Sequence, residues 1–189
     1  LGPGPVEDHL HRARALARAV SSPPARSPDL GAGGGLPGLV LASRIWPGTS
    51  WTFLDAQQKR TEFLREVVTD LGLDDRVAVI TERAEVLGRS PDHRGVYDLV
   101  VSRSFGPPAV TAECGAPLLR PGGRLVVSEP PGGSAGRWPD AGLAEAGLQA
   151  DGPLHIDDVH LMVLVRTADP IDRLPRRSGI PAKRPLFTL

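Results

Sequence analysis

The segment from Asp29 to Gly38 reads Asp-Leu-Gly-Ala-Gly-Gly-Gly-Leu-Pro-Gly, and half of its residues are glycine. Glycine adopts positive φ angles without steric cost and lets a ligand approach the main chain closely. We therefore predict a sharp turn from the end of a strand into a helix, where backbone N–H groups at the helix N-terminus are available to a ligand.

Short apolar segments alternate with amphipathic ones around this loop. Residues 50–54, 77–80, 97–101 and 124–127 are predicted strands, and residues 7–20, 39–45, 57–71 and 109–119 are predicted helices. The inner face of the segment 57–71 is expected to carry Phe63, Leu64, Val67, Val68 and Leu71. Strands separated by helices of this length predict a parallel sheet that is covered by helices on both faces.

Two regions depart from this regular pattern. Residues 154–156 and 161–165 are too close in the chain for a crossover helix, so they are predicted to form an antiparallel edge of the sheet. The first strand is poor, because Arg26, Ser27 and Pro28 occupy positions where apolar residues are expected. Proline is awkward in a central strand, since it cannot donate a ladder hydrogen bond.

The chain divides into three predicted units. Residues 1–28 form an N-terminal helix and Pro-rich linker, residues 29–168 form the ligand-binding domain, and residues 169–189 form a basic, Pro-rich tail without regular structure. The 22 basic and 22 acidic residues balance overall, but basic residues are in excess near both termini. Such ends could steer a polyanion to one face, or they are simply solvated termini.

The glycine loop can be compared with two cofactor-binding patterns. The dinucleotide pattern Gly-x-Gly-x-x-Gly is broken by Leu36 when it starts at Gly31, and it places Pro37 inside the turn when it starts at Gly33. A nicotinamide-dependent oxidoreductase is therefore a distant alternative. A glycine turn that binds nothing is a further alternative.

The second pattern, acid-x-Gly-x-Gly-x-Gly, is complete at Asp29, Gly31, Gly33 and Gly35. It resembles the motif of class I methyltransferases, which use S-adenosyl-L-methionine (S-adenosylmethionine). The resemblance implies a Rossmann-like, doubly wound, mostly parallel seven-stranded sheet with an antiparallel C-terminal edge strand. A carboxylate at Asp29 suits the ammonium and sulfonium groups of this cofactor and would repel a pyrophosphate. Asp55, after the predicted second strand, can accept hydrogen bonds from both ribose hydroxyls, a feature shared with NAD enzymes.

Further motifs narrow the resemblance to one family. They are Leu-Pro-Gly at 36–38, Leu-Asp at 54–55 followed by Lys-Arg at 59–60 and Phe-Leu at 63–64, Ser-Arg-Ser-Phe at 102–105, the Arg-Pro-Gly-Gly turn at 120–123 and the tail Pro-Arg-Arg-Ser-Gly-Ile-Pro-Ala-Lys at 175–183. Together they resemble the bacterial 16S rRNA guanine-N7 methyltransferase family, also known as the glucose-inhibited division protein B family. The match covers most of residues 29–189.

The family resemblance implies a set of cofactor contacts. They are Gly31, Leu36, Ala84, Glu85 and Arg103, with Asp55 at the ribose. Glu85 could instead cap a short helix. Arg103 could bind the methionine carboxylate or a substrate phosphate, or form a surface ion pair.

The implied reaction needs no general base, because guanine N7 carries a free lone pair. The weak candidates for a catalytic role are therefore Arg103 and Glu129. Glu129 follows the predicted fifth strand and could stabilise the positive charge of the product ring. The favoured alternative is that Glu129 is a solvent-facing acid in a Pro-rich loop.

Two departures from the family pattern leave other functions open. The stretch 128–132 reads Ser-Glu-Pro-Pro-Gly where the family has Leu-Lys-Gly, and the family's N-terminal helical extension has no counterpart in the sequence given. These departures favour a small-molecule or other non-ribosomal substrate as the second hypothesis. The poor first strand favours a third, a non-catalytic cofactor-binding module.

Composition excludes several other classes of protein. The sequence shows no apolar run of membrane-spanning length and no signal-peptide core, so a cytoplasmic location is expected. The histidines do not cluster as metal ligands, and Cys114 is the single cysteine, so no metal site and no internal disulfide are expected. Cys114 is expected to be packed in a helix.

Overall fold

A computed structural model describes residues 5–133, 136–169 and 171–188. The strands are β1 (Arg26–Leu30), β2 (Ser50–Asp55), β3 (Val77–Thr81), β4 (Tyr97–Arg103), β5 (Leu119–Ser128), β6 (Leu148–Ile156) and β7 (Val159–Arg166). The helices are α1 (Val6–Arg18), α2 (Gly38–Val40, continued by a π-helical turn over Leu41–Ile45), α3 (Gln58–Asp70), α4 (Ala84–Leu87), α5 (Pro108–Gly115, continued by a 3₁₀ turn over Ala116–Leu118), α6 (Asp140–Glu145) and α7 (Ile180–Lys183). The parts of the predicted terminal units at residues 1–4, 170 and 189 lie outside the described residues.

The seven strands form one sheet in the order β3-β2-β1-β4-β5-β7-β6. The first five strands pair in parallel, whereas β7 pairs antiparallel with both β5 and β6. The order reverses direction at β1 and β4, which is where open α/β sheets bind their ligands. The predicted doubly wound sheet with an antiparallel C-terminal edge is confirmed.

Helices cover both faces of the sheet, because consecutive strand residues point to opposite sides. Phe53 packs in one apolar cluster with residues of α1, α2 and α3, while Leu54 packs in the other with residues of α4, α5 and α6. Cys114 lies in the second cluster and is buried in α5, as expected.

The first strand forms despite its unfavourable sequence. Pro28 is in register with Thr52 of β2, while pairing with β4 begins only at Asp29. The β4 side of Pro28 therefore carries no ladder pair that the missing N–H would break. Because the strand begins at Arg26, the predicted boundary between residues 28 and 29 falls inside β1.

Three sequence-based predictions about helices are wrong. On α3, Leu64 and Val68 are buried, but Phe63 is 43% and Leu71 is 51% exposed. Phe63 lies one residue, or about 100°, away from the buried stripe, and Leu71 lies beyond the last helical residue. The predicted helix 109–119 ends as an α-helix at Gly115, and the tail contains the short helix α7, where no regular structure was expected.

The described chain offers neither a membrane span nor a metal cluster. None of its helices combines the length and apolarity needed to cross a bilayer. Among the same residues, no three or more His, Cys, Asp or Glu side chains are grouped so that they could hold a metal ion.

Candidate active site

The glycine loop joins the end of β1 to the start of α2 as a tight, hydrogen-bonded turn. The N–H groups of Gly31 and Ala32 both donate to the carbonyl oxygen of Leu54, at 2.9 and 2.8 Å. The φ angles of Gly31, Gly33 and Gly35 are +76°, +55° and +89°. Residues other than glycine rarely adopt positive φ angles, so the backbone conformation of this turn requires glycine at these three positions.

The surroundings of these glycines show where a ligand has room. A Cβ atom at Gly31 would lie 2.7 Å from the Phe105 ring, and one at Gly35 would overlap the Leu39 side chain. At Gly33 the nearest neighbour of an added Cβ is the Gly31 carbonyl oxygen, 3.7 Å away. The loop is thus packed on both flanks and open at Gly33.

Two adjoining cavities meet at this loop. The larger cavity has a volume of about 1070 Å³, and the smaller one has about 360 Å³. Both are lined by Gly31, Arg60 and Phe105. The smaller volume lies within the range of typical small-molecule sites, and the larger one lies just above it.

Asp55, at the end of β2, faces the glycine loop from the neighbouring strand. Its Oδ2 accepts a hydrogen bond from the Gly33 N–H at 3.0 Å, and its Oδ1 accepts one from the Gln57 N–H at 2.8 Å. Arg60 lies 3.4 Å from the same carboxylate. Asp55 also lines the smaller cavity, so its carboxylate is oriented beside the loop.

Asp29 lies on the other side of the loop and is 1% exposed. Its Oδ2 accepts a hydrogen bond from the Gly38 N–H at 2.8 Å, whereas its Oδ1 is buried without a hydrogen-bond partner. Burial raises the pKa of Asp29 to about 7, although the Gly38 N–H and the charge of Arg103 oppose this rise. Asp29 is not among the described residues that line the two cavities, so it supports the loop from beneath.

Arg103, the last residue of β4, lines the larger cavity. Its Nη1 lies 3.2 Å from Nδ1 of His9 on α1, in a pair where the guanidinium donates and the imidazole nitrogen accepts. Burial and the nearby Arg12 lower the pKa of Arg103. Its guanidinium therefore meets α1 as well as the cavity, and α1 forms part of the cavity wall.

Glu129 follows β5 and is not the solvent-facing acid that the sequence favoured. Its side chain is 2% exposed, and its Oε2 accepts a hydrogen bond from Arg137 Nη1 at 3.0 Å. Burial raises the pKa of Glu129, and the charge of Arg137 partly opposes the rise. Glu129 lines the larger cavity because its backbone N–H is tied to the carbonyl of His160, at the start of β7.

Ala84 and Glu85 begin α4 and line the smaller cavity. The Glu85 carboxylate accepts hydrogen bonds from the Gly179 N–H at 2.8 Å and from Arg83 at 3.2 Å. Although burial opposes it, these donors hold the pKa of Glu85 below its ordinary value. The carboxylate of Glu85 is thus engaged by the C-terminal tail.

The sequence predictions therefore cover one part of the site and miss another. Gly31, Gly33, Leu36 and Arg103 line the larger cavity, while Asp55, Ala84 and Glu85 line the smaller one. Gly35 is packed within the turn. The lining residues that sequence reasoning missed include His9, Arg12, Phe63, Arg137, Trp138, Ala182 and Pro185. His9, Arg12, Arg137 and Trp138 lie outside the quoted motifs, so no local signal marked them. Phe63 and Ala182 lie inside two of the motifs, but periodicity placed Phe63 on the inner face of its helix and the tail was expected to lack regular structure.

This sheet order, with a glycine loop after β1 and an oriented carboxylate after β2, defines a class I S-adenosylmethionine-dependent methyltransferase. Solved structures share the fold. A SAM-dependent methyltransferase from Aquifex aeolicus matches with a TM-score of 0.65 and 16% identity over 86% of this chain and 93% of that one. A chain from the complex of the Haloferax volcanii Trm112 methyltransferase activator with its putative methyltransferase matches with a TM-score of 0.63 and 21% identity, over 86% and 92%.

The chain belongs to the rRNA small subunit methyltransferase G (GidB) family, whose model matches residues 6–129. The ribosomal RNA small subunit methyltransferase G of Roseiflexus castenholzii is 39% identical over 96% of this chain and 80% of its own length. The protein of the same name from Deinococcus radiodurans is 39% identical over 84% of this chain and 65% of its own length. The family predicted from the sequence motifs is confirmed.

Proposed function

We propose that this protein transfers a methyl group from S-adenosylmethionine to N7 of a guanine in 16S ribosomal RNA. The observation that carries the proposal is the open glycine loop at Gly33, which faces the Asp55 carboxylate at 3.0 Å in a chain of this family. The residues present fit the cofactor, because Gly33 has no side chain and its surroundings are open, and the neighbouring carboxylate can accept hydrogen bonds from hydroxyl groups.

The two cavities suggest how the cofactor would be held. Asp55 would accept hydrogen bonds from the ribose hydroxyls, and the adenine would lie in the smaller cavity beside Ala84 and Glu85. Arg103 would bind the methionine carboxylate in the larger cavity, since guanidinium and carboxylate form charge-assisted hydrogen bonds. Gly31 lines both cavities, so a ligand that extends from one to the other would cross the glycine loop.

Methyl transfer to guanine N7 does not require the protein to remove a proton from the base first. When bound, S-adenosylmethionine supplies an electrophilic methyl group on a sulfonium, and guanine N7 can attack it with a lone pair that needs no prior deprotonation. The task of the protein is to hold the base in line and to exclude water. Positioning of this kind can supply roughly 7–11 kcal/mol of a barrier.

Glu129 is suited to stabilise the cationic product ring. It is the acidic residue among the charged lining residues of the larger cavity, which also include Arg12, Lys59, Arg60, Arg103 and Arg137. Its ion pair with Arg137 keeps a buried carboxylate in place. The Glu129–Arg137 pair also removes one of the two arguments for a non-ribosomal substrate, because the acid at the end of β5 does not present an unpaired negative charge.

The larger cavity has features that favour a nucleic-acid substrate. Lys59 and Arg60 lie on α3 near Phe63, which lines the larger cavity and is 43% exposed as a residue. Exposed aromatic rings next to cations bind single-stranded nucleic acids by stacking on bases while the cations contact phosphates. These residues support RNA binding better than the basic C-terminal region, where Arg166 at the end of β7 and Arg176 in the tail are engaged by internal oxygens. A substrate in the ribosome would place the protein in the cytoplasm.

Mapping N7-methylguanine in ribosomal RNA tests the proposal. Small subunits from a strain that lacks this gene would be incubated with the purified protein and methyl-labelled S-adenosylmethionine, and the modified guanine would be located by cleavage at N7-methylguanine. We expect one mark that is absent from the deletion strain and restored by the protein. If the deletion strain keeps every mark, with no second enzyme to account for them, the acceptor is not ribosomal guanine N7.

A variant of Phe63 tests the RNA-binding surface. Stacking of one base on an aromatic side chain is worth about 1–3 kcal/mol, so Phe63→Ala should raise the KM for RNA about tenfold and leave cofactor affinity unchanged. Leu71→Ala is the matched control, because Leu71 directly follows the same helix, is similarly exposed and does not line the larger cavity. Equal KM values for the two variants would exclude stacking on Phe63.

A further inference from the structure

We propose that the C-terminal strap, residues 171–186, forms the outer wall of the adenine pocket, and that Ala182 and Pro185 determine which ring fits there. The proposal rests on the cofactor placement given above. Ala182 and Pro185 line the smaller cavity together with Asp55 and Glu85, which lie about 100 to 130 residues earlier in the chain. The nucleoside end of the site is therefore completed by the last part of the described chain.

The strap is held by a buried ion pair rather than by loose surface packing. Glu113 on α5 is fully buried, and both of its carboxylate oxygens accept hydrogen bonds from Arg176. Arg176 donates from Nε at 2.8 Å, from Nη2 at 2.6 Å and from its own backbone N–H at 2.9 Å. A bidentate guanidinium–carboxylate pair fixes orientation as well as distance. The Arg176–Glu113 pair thus determines the position of the strap near the smaller cavity.

A second anchor links the strap directly to the predicted cofactor contacts. The N–H of Gly179, just before α7, donates to Glu85 Oε1 at 2.8 Å. The Glu85 side chain is therefore turned to the strap, and α7 is placed against the start of α4. This contact explains why a buried acid stands at the edge of a pocket that is suggested to hold an uncharged adenine ring.

A third set of contacts fixes the beginning of the strap. Arg94 donates to the carbonyl oxygens of Leu174 at 2.6 Å and Ile171 at 2.7 Å. Arg89 donates to the carbonyl oxygen of Pro175 at 2.7 Å. Guanidinium groups from the segment after α4 thus bind the strap backbone, and the position of α7 follows from contacts with two separate elements of the fold.

A wall that is formed by a docked segment couples docking to ligand binding. If the adenine ring contacts Ala182 and Pro185, the bound ligand stabilises the seated strap, and by linkage the seated strap increases ligand affinity to the same extent. A wall that merely lies nearby would show no such coupling. The two cases are distinguishable by measurement.

Substitution in α7 tests the wall with S-adenosylhomocysteine as the ligand. Ala182→Phe adds a ring at a cavity-lining position, and overpacking of that kind should weaken binding by about tenfold or more in calorimetry. Lys183→Phe is the matched control, because Lys183 is the next residue of the same helix and is exposed like Ala182, but it does not line the cavity. Melting temperatures without ligand should be similar for both variants, so loss of folding is separated from loss of space.

Hydrogen exchange of the intact protein supplies a second readout. S-adenosylhomocysteine should slow amide exchange across residues 171–186 in the wild type, and this protection should be lost in Ala182→Phe and kept in Lys183→Phe. If the wild type binds the ligand while Ala182→Phe binds equally well and the strap exchanges at an unchanged rate, the wall proposal is wrong and the cofactor placement stands. If the wild type does not bind the ligand at all, the proposed function itself fails.

Discussion

Asp29 and Asp55 hold opposite sides of the same glycine loop, and they do so in different environments. Asp29 is buried beneath the loop. Its Oδ2 accepts a hydrogen bond from the Gly38 N–H, and its Oδ1 has no hydrogen-bond partner. Asp55 lies at the open side of the loop. Both of its carboxylate oxygens accept hydrogen bonds from backbone N–H groups, and the residue lines the smaller cavity. The two carboxyl groups therefore have different consequences. Asp29 makes the stability of the protein depend on pH, whereas Asp55 is available to contact a ligand.

The largest expected effect concerns the buried side. The pKa of Asp29 is about 7 in the folded protein against an ordinary 3.8, so between these pH values the folded state retains a proton that the unfolded state has lost. The stabilisation is complete below pH 3.8 and is lost as the pH rises to about 7, at about 1.4 kcal/mol per pH unit and about 4 kcal/mol in total. Asp29→Asn keeps an oxygen for Gly38 and removes this dependence.

Urea unfolding of wild type and Asp29→Asn between pH 4 and pH 8 measures the difference. The stability of the variant relative to the wild type should rise across that interval and level off above pH 7. Asp70→Asn, at an exposed position on α3, serves as the charge control. Parallel pH profiles for Asp29→Asn and wild type would show that Asp29 is ionised in the folded state at low pH.

The next effect concerns the open side. Asp55→Ala should weaken binding of S-adenosylhomocysteine by about 1.5–3 kcal/mol, or roughly 10- to 150-fold, because charge-assisted hydrogen bonds to the ribose are lost. Asp55→Asn keeps an acceptor for the Gly33 N–H and should lose less. Calorimetry measures both, with Asp70→Ala as the exposed control. A dissociation constant unchanged by Asp55→Ala would refute the placement of the ribose.

A pair of glycine variants sharpens the comparison between loop strain and ligand contact. Gly33 and Gly72 have similar φ angles, +55° and +63°, and neither would bring an added Cβ within 3.4 Å of another atom. Alanine at either position should therefore cost about 1–2 kcal/mol of stability. Only Gly33→Ala should also weaken S-adenosylhomocysteine binding, about tenfold, since Gly33 lines the larger cavity and its added methyl group would take up space at the open part of the loop. Equal ligand affinities for the two variants would separate the loop from the binding site.

The smallest expected effect concerns a third carboxylate, Glu129, which is buried like Asp29 but paired with Arg137. Glu129→Gln should lower kcat on RNA by about fivefold, or about 1 kcal/mol, and leave cofactor affinity unchanged, because Arg137 already neutralises most of the charge that the product ring would meet. Single-turnover assays measure the change, with the exposed Glu66→Gln as control. Unchanged turnover would reduce Glu129 to a structural partner of Arg137.

Local patterns in the sequence predicted much of the fold and part of the candidate active site. Periodicity located most strands and helices because a residue on a strand or helix repeats its environment every few positions. The spacing of Asp29, the glycines and Asp55 pointed to the loop because those residues are close in the chain or lie at the ends of adjacent strands. Phe63 was misplaced because periodicity indicates an apolar stripe but does not indicate which of its flanks a neighbouring element leaves uncovered.

By itself, therefore, the sequence determined the doubly wound sheet, the glycine loop and the family to which the chain belongs, since these depend on short-range spacing and backbone conformation. Only the tertiary structure decided that Asp29 is sealed from water, that Glu129 finds Arg137 and that Glu113 and Glu85 hold the strap against the smaller cavity. The physical reason is that burial and ion pairing depend on which distant segments meet, and the charge of a carboxylate acquires its role from the donors and the solvent that surround it.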